Sequence, residues 1–189
     1  MNVKIARLAG FFGVSAPMLG FFMVLTAISL SPRFSWYDNA LSDLGVGEFE
    51  AVIFNSGLVM TGSLMMMFFL GPYELFRRSM IGRIGALLFL ASAFFLIGIG
   101  VFNETFGKIH FYVSVGFFVS LIISLLIHGI SFAMKRMIRF SILSLAVGIV
   151  GASVWFLPWK GAAIPEAVST LAAGVWMSVL GIWMLGLKE

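Results

Sequence analysis

Carboxylates are concentrated in one short stretch of this 189-residue chain, residues 36–55. Charged residues make up only 11% of the sequence, so four acids in twenty positions need a physical explanation. They are Asp38, Asp43, Glu48 and Glu50. Carboxylates can act as general bases, hold a hard divalent cation or bind a cationic head group. We therefore take this stretch as the candidate functional loop.

The spacing inside the loop predicts a short helix over residues 38–45. Asp38 or Asn39 is suited to its N-cap, because short polar side chains accept hydrogen bonds from the first turn. Helical spacing of four residues would then pair Asp38 with Ser42, and Asn39 with Asp43. We expect a small amphipathic element at the outer end of the protein. Its polar side would face the opening at that end, which we call the outer mouth.

The two histidines are predicted to have separate roles. His110 and His128 are 18 residues apart on one predicted helix, which is five complete turns and about 27 Å. One metal ion cannot bind both. His110 lies on the side of the loop acids, where two roles are open: a functional one, as the proton partner of Asp43 or as an ion ligand, and a structural one, with its ring satisfied by hydrogen bonds. For His128 an interhelical hydrogen bond is the expected role.

One group of polar residues on the outer side makes up the candidate site, and a divalent cation bound there is one expectation. Asn55 lies one turn inside the next helix, where an amide without a hydrogen-bond partner is costly. It is therefore expected either to bind the ligand or to hold the loop in place. No HExxH or nucleophile-elbow spacing occurs, and the absence of cysteine excludes thiolate sites. The candidate catalytic residues are Ser42, Asp43 and His110, and the candidate ligand-binding residues are Asp38, Asn39, Glu48, Asn55, Glu104 and Glu166.

The composition requires a membrane protein. The chain is 61% hydrophobic with a mean hydropathy of +1.09, whereas soluble domains are about 45–50% apolar. Six segments have the length of about 20 apolar residues that a spanning helix needs. We predict an all-α bundle of six transmembrane helices in one domain, residues 1–189. The helices are placed at about 9–30, 51–75, 84–102, 111–134, 140–158 and 167–187.

The basic residues predict the orientation. Nine of the twelve Lys and Arg residues fall on the side that carries both termini, and three fall on the other side. The positive-inside rule then predicts that both termini are cytoplasmic. We expect the protein to lie in the plasma membrane. The acids divide the opposite way, with only Glu74 and Glu189 inside. The net charge of +4 is therefore a topology signal and does not indicate a nucleic-acid partner.

Small residues on the last two helices predict close helix packing, because they let backbones approach where lipid supplies no hydrophobic drive. Trp176 and Trp183, seven residues apart, are expected to face lipid or the membrane interface instead. The two small-residue stripes are Ser141, Ser144, Gly148 and Gly151 on the fifth helix, and Thr170, Gly174, Ser178 and Gly181 on the sixth.

Residues 37–62, YDNALSDLGVGEFEAVIFNSGLVMTG, together with the six-helix layout, resemble the archaeal integral membrane family catalogued as Domain of Unknown Function 998. More distantly, the chain is similar to the Frag/DRAM/Sfk superfamily of six-helix eukaryotic proteins, whose first outer loop has the pattern I-S-D-x-G-x-x-P-E. The matching residues are Leu41, Ser42, Asp43, Gly45 and Glu48, with Leu41 in place of the isoleucine and Val46-Gly47 where the proline would precede the glutamate.

The same superfamily has a histidine opening helix four and a glutamate opening helix six, which match His110 and Glu166. Some of its eukaryotic members are associated with remodelling of glycolipid anchors or with phosphoinositide regulation. The resemblance therefore implies a lipid as the ligand class.

We predict a protein that binds or remodels a lipid or lipid-like molecule at an outward-facing acidic pocket, with membrane lipids as its partners. This hypothesis requires a cleft that runs from the outer mouth between the helices. One alternative is a metal-assisted lipid hydrolase with ceramidase-like chemistry, in which a metal would depend on carboxylates because the two histidines cannot meet. A second is a small-solute or cation transporter, although the helix interiors contain no deep charge to form a relay. A structural or adaptor role is a further alternative.

Overall fold

The computed structural model describes residues 1–188, which form seven α-helices and, within that range, no strand. The helices are α1 (Val3–Leu30), α2 (Phe49–Phe68), α3 (Leu70–Leu75), α4 (Met80–Val101), α5 (Lys108–Met134), α6 (Ile138–Ser153) and α7 (Ala163–Leu185). Six spans are long and apolar enough to cross a membrane. The predicted six-helix, all-α fold is confirmed. Glu189, which the sequence assigns to the cytoplasmic side, lies outside the described residues.

The second span contains both α2 and α3, which meet at Phe69. Pro72 explains the break, because a proline has no N–H to donate to the carbonyl of Phe68 one turn earlier. Every span also starts earlier than predicted, by two residues at α2 and α6, three at α5, four at α4 and α7, and six at α1.

The spans form a closed ring in chain order. α1 packs against α2, α2 against α4, α4 against α5, α5 against α6 and α6 against α7, and α7 closes the ring on α1. Two sides of the bundle can then be distinguished. The N-terminus lies beside Glu74 at the end of the second span, where the backbone N–H of Asn2 donates to Glu74 Oε1 at 2.7 Å. We call this the terminal side, and the side of residues 31–48 the mouth side.

The small-residue stripe of α6 packs as predicted, and that of α7 does so at Gly174 and Gly181. All four stripe residues of α6 are buried, and Ser141 Oγ donates to the Gly129 carbonyl of α5 at 2.8 Å. On α7, Gly174 faces Pro17 and Phe21 of α1, and Gly181 faces the backbone of Gly10. These contacts fix α7 against α1 in the terminal half of the bundle.

The prediction that Trp176 faces lipid was wrong. Its side chain is 0% exposed, lies with its ring centroid 5.8 Å from those of Phe68 and Phe89, and donates from Nε1 to Ser144 Oγ at 2.7 Å. A seven-residue spacing indicates that two residues share a helix face but does not say which way that face points. Trp183 is half-buried against Phe140.

His128 is fully buried in the same core, 5.1 Å from Trp176 between ring centroids. Its Nδ1 hydrogen-bonds the Ser124 carbonyl of its own helix at 2.8 Å, so the expected interhelical bond is instead an intrahelical one. The link between helices comes from Ser124, whose hydroxyl donates to the Gly85 carbonyl of α4 at 2.8 Å. His128 therefore belongs to the packing of the terminal half and lies far from the mouth.

Candidate functional site

The mouth loop contains a short 3-10 helix, Leu41–Gly45, that starts later than the sequence predicted. Its N-cap is Ala40, so the expectation of Asp38 or Asn39 at that position was wrong. The reason is Asp43, whose carboxylate turns back to accept from the Ala40 N–H at 3.0 Å and from Asn39 Nδ2 at 2.6 Å. An acid within the helix thus accepts the hydrogen bond of the N-cap N–H. The predicted Asn39–Asp43 pair is confirmed.

The second predicted pair, Asp38 with Ser42, does not form. Asp38 is exposed, where it accepts from Ser35 Oγ at 2.7 Å and forms an ion pair with Lys160. The hydrogen bonds from Lys160 and Ser35 lower the pKa of Asp38, and the carboxylate raises the pKa of Lys160 in return. Asp38 therefore lies outside the mouth, and Ser42 has a different partner.

Five polar residues meet beneath the loop, and we call them the mouth cluster: Ser42, Asp43, Glu104, His110 and Glu166. Ser42 Oγ donates to Glu104 Oε1 at 2.7 Å. Burial raises the pKa of Glu104, the Ser42 hydrogen bond opposes this, and the nearby charge of Asp43 adds to the rise. His110 is close enough to lower the same pKa. The cluster therefore holds interacting acids that are partly withdrawn from water.

His110 is not in hydrogen-bonding contact with Asp43 in the described structure. Its Nδ1 lies 2.8 Å from the Phe102 carbonyl oxygen, so Nδ1 carries a proton, and its Nε2 lies 3.4 Å from Ser114 Oγ. The first contact ties the start of α5 to the end of α4. His110 therefore acts on Glu104 of the cluster electrostatically, and its second ring nitrogen lies beside Ser114.

Glu166 connects the mouth loop to the last helix. Its Oε2 accepts from the Leu41 N–H at 2.6 Å, which caps the 3-10 helix from across the bundle. A second bond runs from the Ala163 N–H to the Asn39 carbonyl at 2.9 Å. The start of α7 thus fixes the position of the loop over the mouth.

Asn55 braces the other end of the loop. Its Nδ2 donates to the Gly45 carbonyl at 2.9 Å, and Asn103 Nδ2 donates to the same oxygen at 3.1 Å. Gly45 has no room for a side chain, because a Cβ there would lie 2.7 Å from Asn55 Oδ1. Of the two predicted roles for Asn55, the structure supports the bracing one.

Glu48 lies apart from the cluster. It is exposed at the N-cap position of α2 and its side chain makes no capping bond. No hydrogen bond or ion pair of Glu48 occurs within residues 1–188. The structure therefore does not bring it together with the other candidates.

The arrangement of the acids does not fit a metal centre. Among the described residues no group of three or more His, Asp or Glu side chains is placed to hold a metal ion. Asp43, Glu104 and Glu166 each accept a hydrogen bond from the protein instead, from Ala40, Ser42 and Leu41 respectively. The carboxylates of the mouth thus hold the loop in its conformation through these hydrogen bonds.

A cavity of about 330 Å³ lies beneath the mouth cluster. Its walls come from α1, α2, α4, α5 and α7, and Ser42 and Glu166 are the cluster residues that line it. From Glu166 to Met177 at its deep end is eleven residues of α7, or about 16 Å at 1.5 Å per residue. That is roughly half of the 30 Å hydrocarbon core, so the cavity is about one leaflet deep.

The cavity opens sideways between the first and last spans. Leu25 of α1 and Leu171 of α7 both line it, and they are 57% and 54% exposed on the lipid-facing surface. Trp36 of the mouth loop also lines the cavity. The cavity is therefore bordered by lipid-facing side chains as well as by the mouth.

The lipid-binding hypothesis required a cleft from the mouth between the helices, but sequence reasoning did not assign Thr61, Ser114 or Thr170 to its walls. The signal that could have found them is the small size of Ala167 and Thr170 in the first turns of α7. We interpreted the stripe that starts at Thr170 only as close packing, which is correct for Gly174 and Gly181 but not for Thr170.

We expect Glu104→Gln to stabilise the protein at neutral pH. A carboxyl whose pKa is raised by folding favours the folded state most at low pH, and this contribution is lost as the pH rises through the raised pKa. The amide keeps an acceptor for Ser42 but carries no charge against Asp43 and Glu166. The variant should melt a few degrees above the wild type at pH 7, and the difference should shrink towards pH about 4.3, the ordinary range of a Glu carboxyl.

The measurement is thermal unfolding in detergent across this pH range, with the exposed Glu48→Gln as the control that removes an equal charge. A lower melting temperature for Glu104→Gln than for the wild type at pH 7 would show that the charge of Glu104 stabilises the mouth.

The fold and the site define a multi-pass integral membrane protein with a polar mouth above an apolar, laterally open cavity. The chain belongs to the family described as protein of unknown function (DUF998), whose model matches residues 14–183. The match covers nearly all six spans and confirms the resemblance carried by residues 37–62. No curated protein and no solved structure matches the chain significantly.

Proposed function

We propose that the protein binds a membrane lipid, with the lipid chain in the cavity and its head group at the mouth cluster. The observation that carries the proposal is the lateral opening between α1 and α7, at Leu25 and Leu171. A soluble ligand would need only an opening to water. An opening bordered by lipid-facing leucines favours a ligand that is already dissolved in the bilayer.

The size and depth of the cavity support one chain of such a lipid. Ligand sites are usually about 300–1,000 Å³, and this cavity lies at the small end of that range. Its depth of about 16 Å matches one leaflet. A single acyl or isoprenoid chain is therefore the part of the lipid that we assign to the cavity.

The packing of the terminal half favours binding over transport. Phe68, Phe76, Phe89, Phe132 and Trp176 are all fully buried there. A transport path would have to pass through this core, whereas a binding site needs to open only at the mouth and sideways.

The contact residues follow from which cluster members line the cavity. Ser42 and Glu166 would touch the head group directly. Asp43 and His110 act behind them as positioning residues, Asp43 by holding the 3-10 helix and His110 by holding Ser114. Any remodelling of the lipid would take place where Ser42 and Glu166 contact its head group.

The orientation belongs to the same proposal. Nine of the twelve Lys and Arg residues fall on the terminal side, so we assign that side to the cytoplasm and the mouth to the outer leaflet of the plasma membrane. The lipid would then come from the outer leaflet.

Filling the cavity tests the proposal. We expect Thr170→Phe to lower lipid binding by about tenfold, because the phenyl ring would occupy space that the lipid chain needs. Extra volume in a filled site costs about 1–3 kcal/mol. Binding is measured by native mass spectrometry of lipids that remain on the protein after extraction from membranes, and by titration of a fluorescent fatty-acyl probe in nanodiscs.

Val175→Phe is the matched control, because it adds a similar bulk five residues further along α7 on the exposed, lipid-facing side. Retention of wild-type binding by Thr170→Phe would refute the cavity as the lipid site. So would an equal loss in both variants.

A further inference from the structure

The charges around the mouth indicate what kind of head group it accepts. Asp43, Glu104 and Glu166 lie together, and none of the ion pairs among residues 1–188 involves them. The ion pair on that side of the described structure joins Lys160, which is 80% exposed, to Asp38 outside the cluster. The acids of the mouth cluster therefore have no ion-pair partner among residues 1–188, and a phosphate or carboxylate head group would add a further negative charge beside them.

One carboxylate of the cluster lines the cavity and has one oxygen without a hydrogen bond. Glu166 lines the cavity, and its Oε2 is occupied by the Leu41 N–H. Its other oxygen, Oε1, receives no hydrogen bond from any described residue and is not among the fully enclosed polar atoms. Because Glu166 lines the cavity, Oε1 is the acceptor that a hydrogen-bond donor on a bound ligand would use.

The neighbours of Glu166 at the mouth suit the same chemistry. Ser42 and Trp36, both residues of the mouth loop, line the same cavity. A hydroxyl oxygen can accept from an ammonium group, and the face of an indole ring attracts a cation. Carboxylate, hydroxyl and indole together form a site for a group that is positive and rich in donors.

A second polar side chain without a partner lies deeper along the cavity and gives an independent reason to place a polar part of a ligand there. Thr61 is 8% exposed, lines the cavity, and its hydroxyl oxygen has no hydrogen-bond partner. It lies beside Gly20, close to the level of Gly174, which is eight residues or about 12 Å below Glu166. A buried hydroxyl without a partner is costly, and rotation of this side chain would present it to a ligand oxygen at that depth.

We propose that the ligand is an amino lipid, a long-chain amphiphile whose protonated amine binds between Glu166, Ser42 and Trp36. The inference rests on the proposed lipid-binding function and specifies its ligand class. The ammonium donates to Glu166 Oε1, and its positive charge offsets the three acids of the cluster. The chain extends down the cavity past Thr61.

Three probes with the same chain test the charge of the head group: dodecylamine, dodecanol and dodecanoate, each titrated at neutral pH into the full-length protein in neutral detergent and followed by native mass spectrometry. We expect the amine to bind about tenfold more tightly than the alcohol, the strength of a hydrogen bond to a charged group, and the carboxylate to bind most weakly.

Glu166→Gln should reduce the preference for the amine over the alcohol to about threefold or less, while its amide oxygen still accepts from Leu41. Asp38→Asn removes an acid from the same loop but outside the cavity, and the preference should be unchanged. The comparison of probes on the wild-type protein decides the question even where Glu166→Gln does not fold.

Equal binding of the three probes, tighter binding of dodecanoate, or an unchanged preference in Glu166→Gln would overturn the amino-lipid inference and leave lipid binding intact. Binding of none of the probes to the wild-type protein would overturn the proposed function itself.

Discussion

Replacing Trp176 with alanine should destabilise the bundle by about 3 kcal/mol, one of the two largest effects that we expect of a single substitution here. Trp176 fills the centre of the terminal half, in contact with Phe68, Phe89 and His128. Its indole also joins α7 to α6 through Ser144. Alanine would leave a void among rings that cannot collapse without moving several helices.

The expected cost lies at the low end of the range for Trp→Ala in a core, about 3–5 kcal/mol. In a bilayer the unfolded helices remain in an apolar solvent, so little hydrophobic transfer energy is lost. What is lost is the dispersion attraction of close packing and one buried hydrogen bond.

Reversible unfolding in mixed micelles measures this change in the free energy of unfolding. Trp183→Ala is the matched control, because Trp183 lies on the same helix, seven residues away, and is only half-buried. A similar loss in both variants would contradict the assignment of Trp176 to the core.

Gly181→Ala is expected to disrupt the contact between α1 and α7. A Cβ at Gly181 would lie 2.7 Å from the Gly10 carbonyl oxygen and 3.2 Å from the Gly13 carbonyl carbon. Both are backbone atoms, so the helices must separate to admit one methyl group. Overpacking of this kind costs about 1–3 kcal/mol, and the rigidity of two backbones favours the upper part of that range.

The matched control is Gly151→Ala, a buried glycine of the α6 stripe whose added Cβ would meet no atom closer than 3.7 Å. It should be nearly neutral. Unfolding in mixed micelles compares the two, and lipid binding provides a second measurement, because separation of α1 from α7 would also widen the opening at Leu25 and Leu171. Equal stability of both variants would show that the helices have room to move.

The spans and the mouth loop were predictable from the sequence for a simple reason. The bilayer fixes how long an apolar segment must be, so six such segments predict six helices. Because successive helices cross the membrane in opposite directions, counting them also places Glu104 and Glu166 on the same side. The direction of a side chain is harder. Asn39 and Asp43 both satisfy capping rules, and only the folded loop decides that the carboxylate turns back while the amide donates to it.

The walls of the cavity were beyond sequence reasoning because they depend on pairs of facing residues. Gly148 is filled by Leu126 and Gly116 by Phe95, so a small residue alone does not make a space. Thr170, in contrast, lines an open space. Which small residue meets which neighbour is set by the tilt and register of helices, and one sequence does not contain that information.

The anchoring of the mouth loop by α7 has a consequence for biosynthesis. Leu41 is held by Glu166, a residue 125 positions later in the chain. Because ribosomes make the chain from its N-terminus, the loop leaves the membrane-insertion machinery long before its anchor is synthesised. The mouth is therefore completed only when the sixth span has inserted, at the last step of assembly.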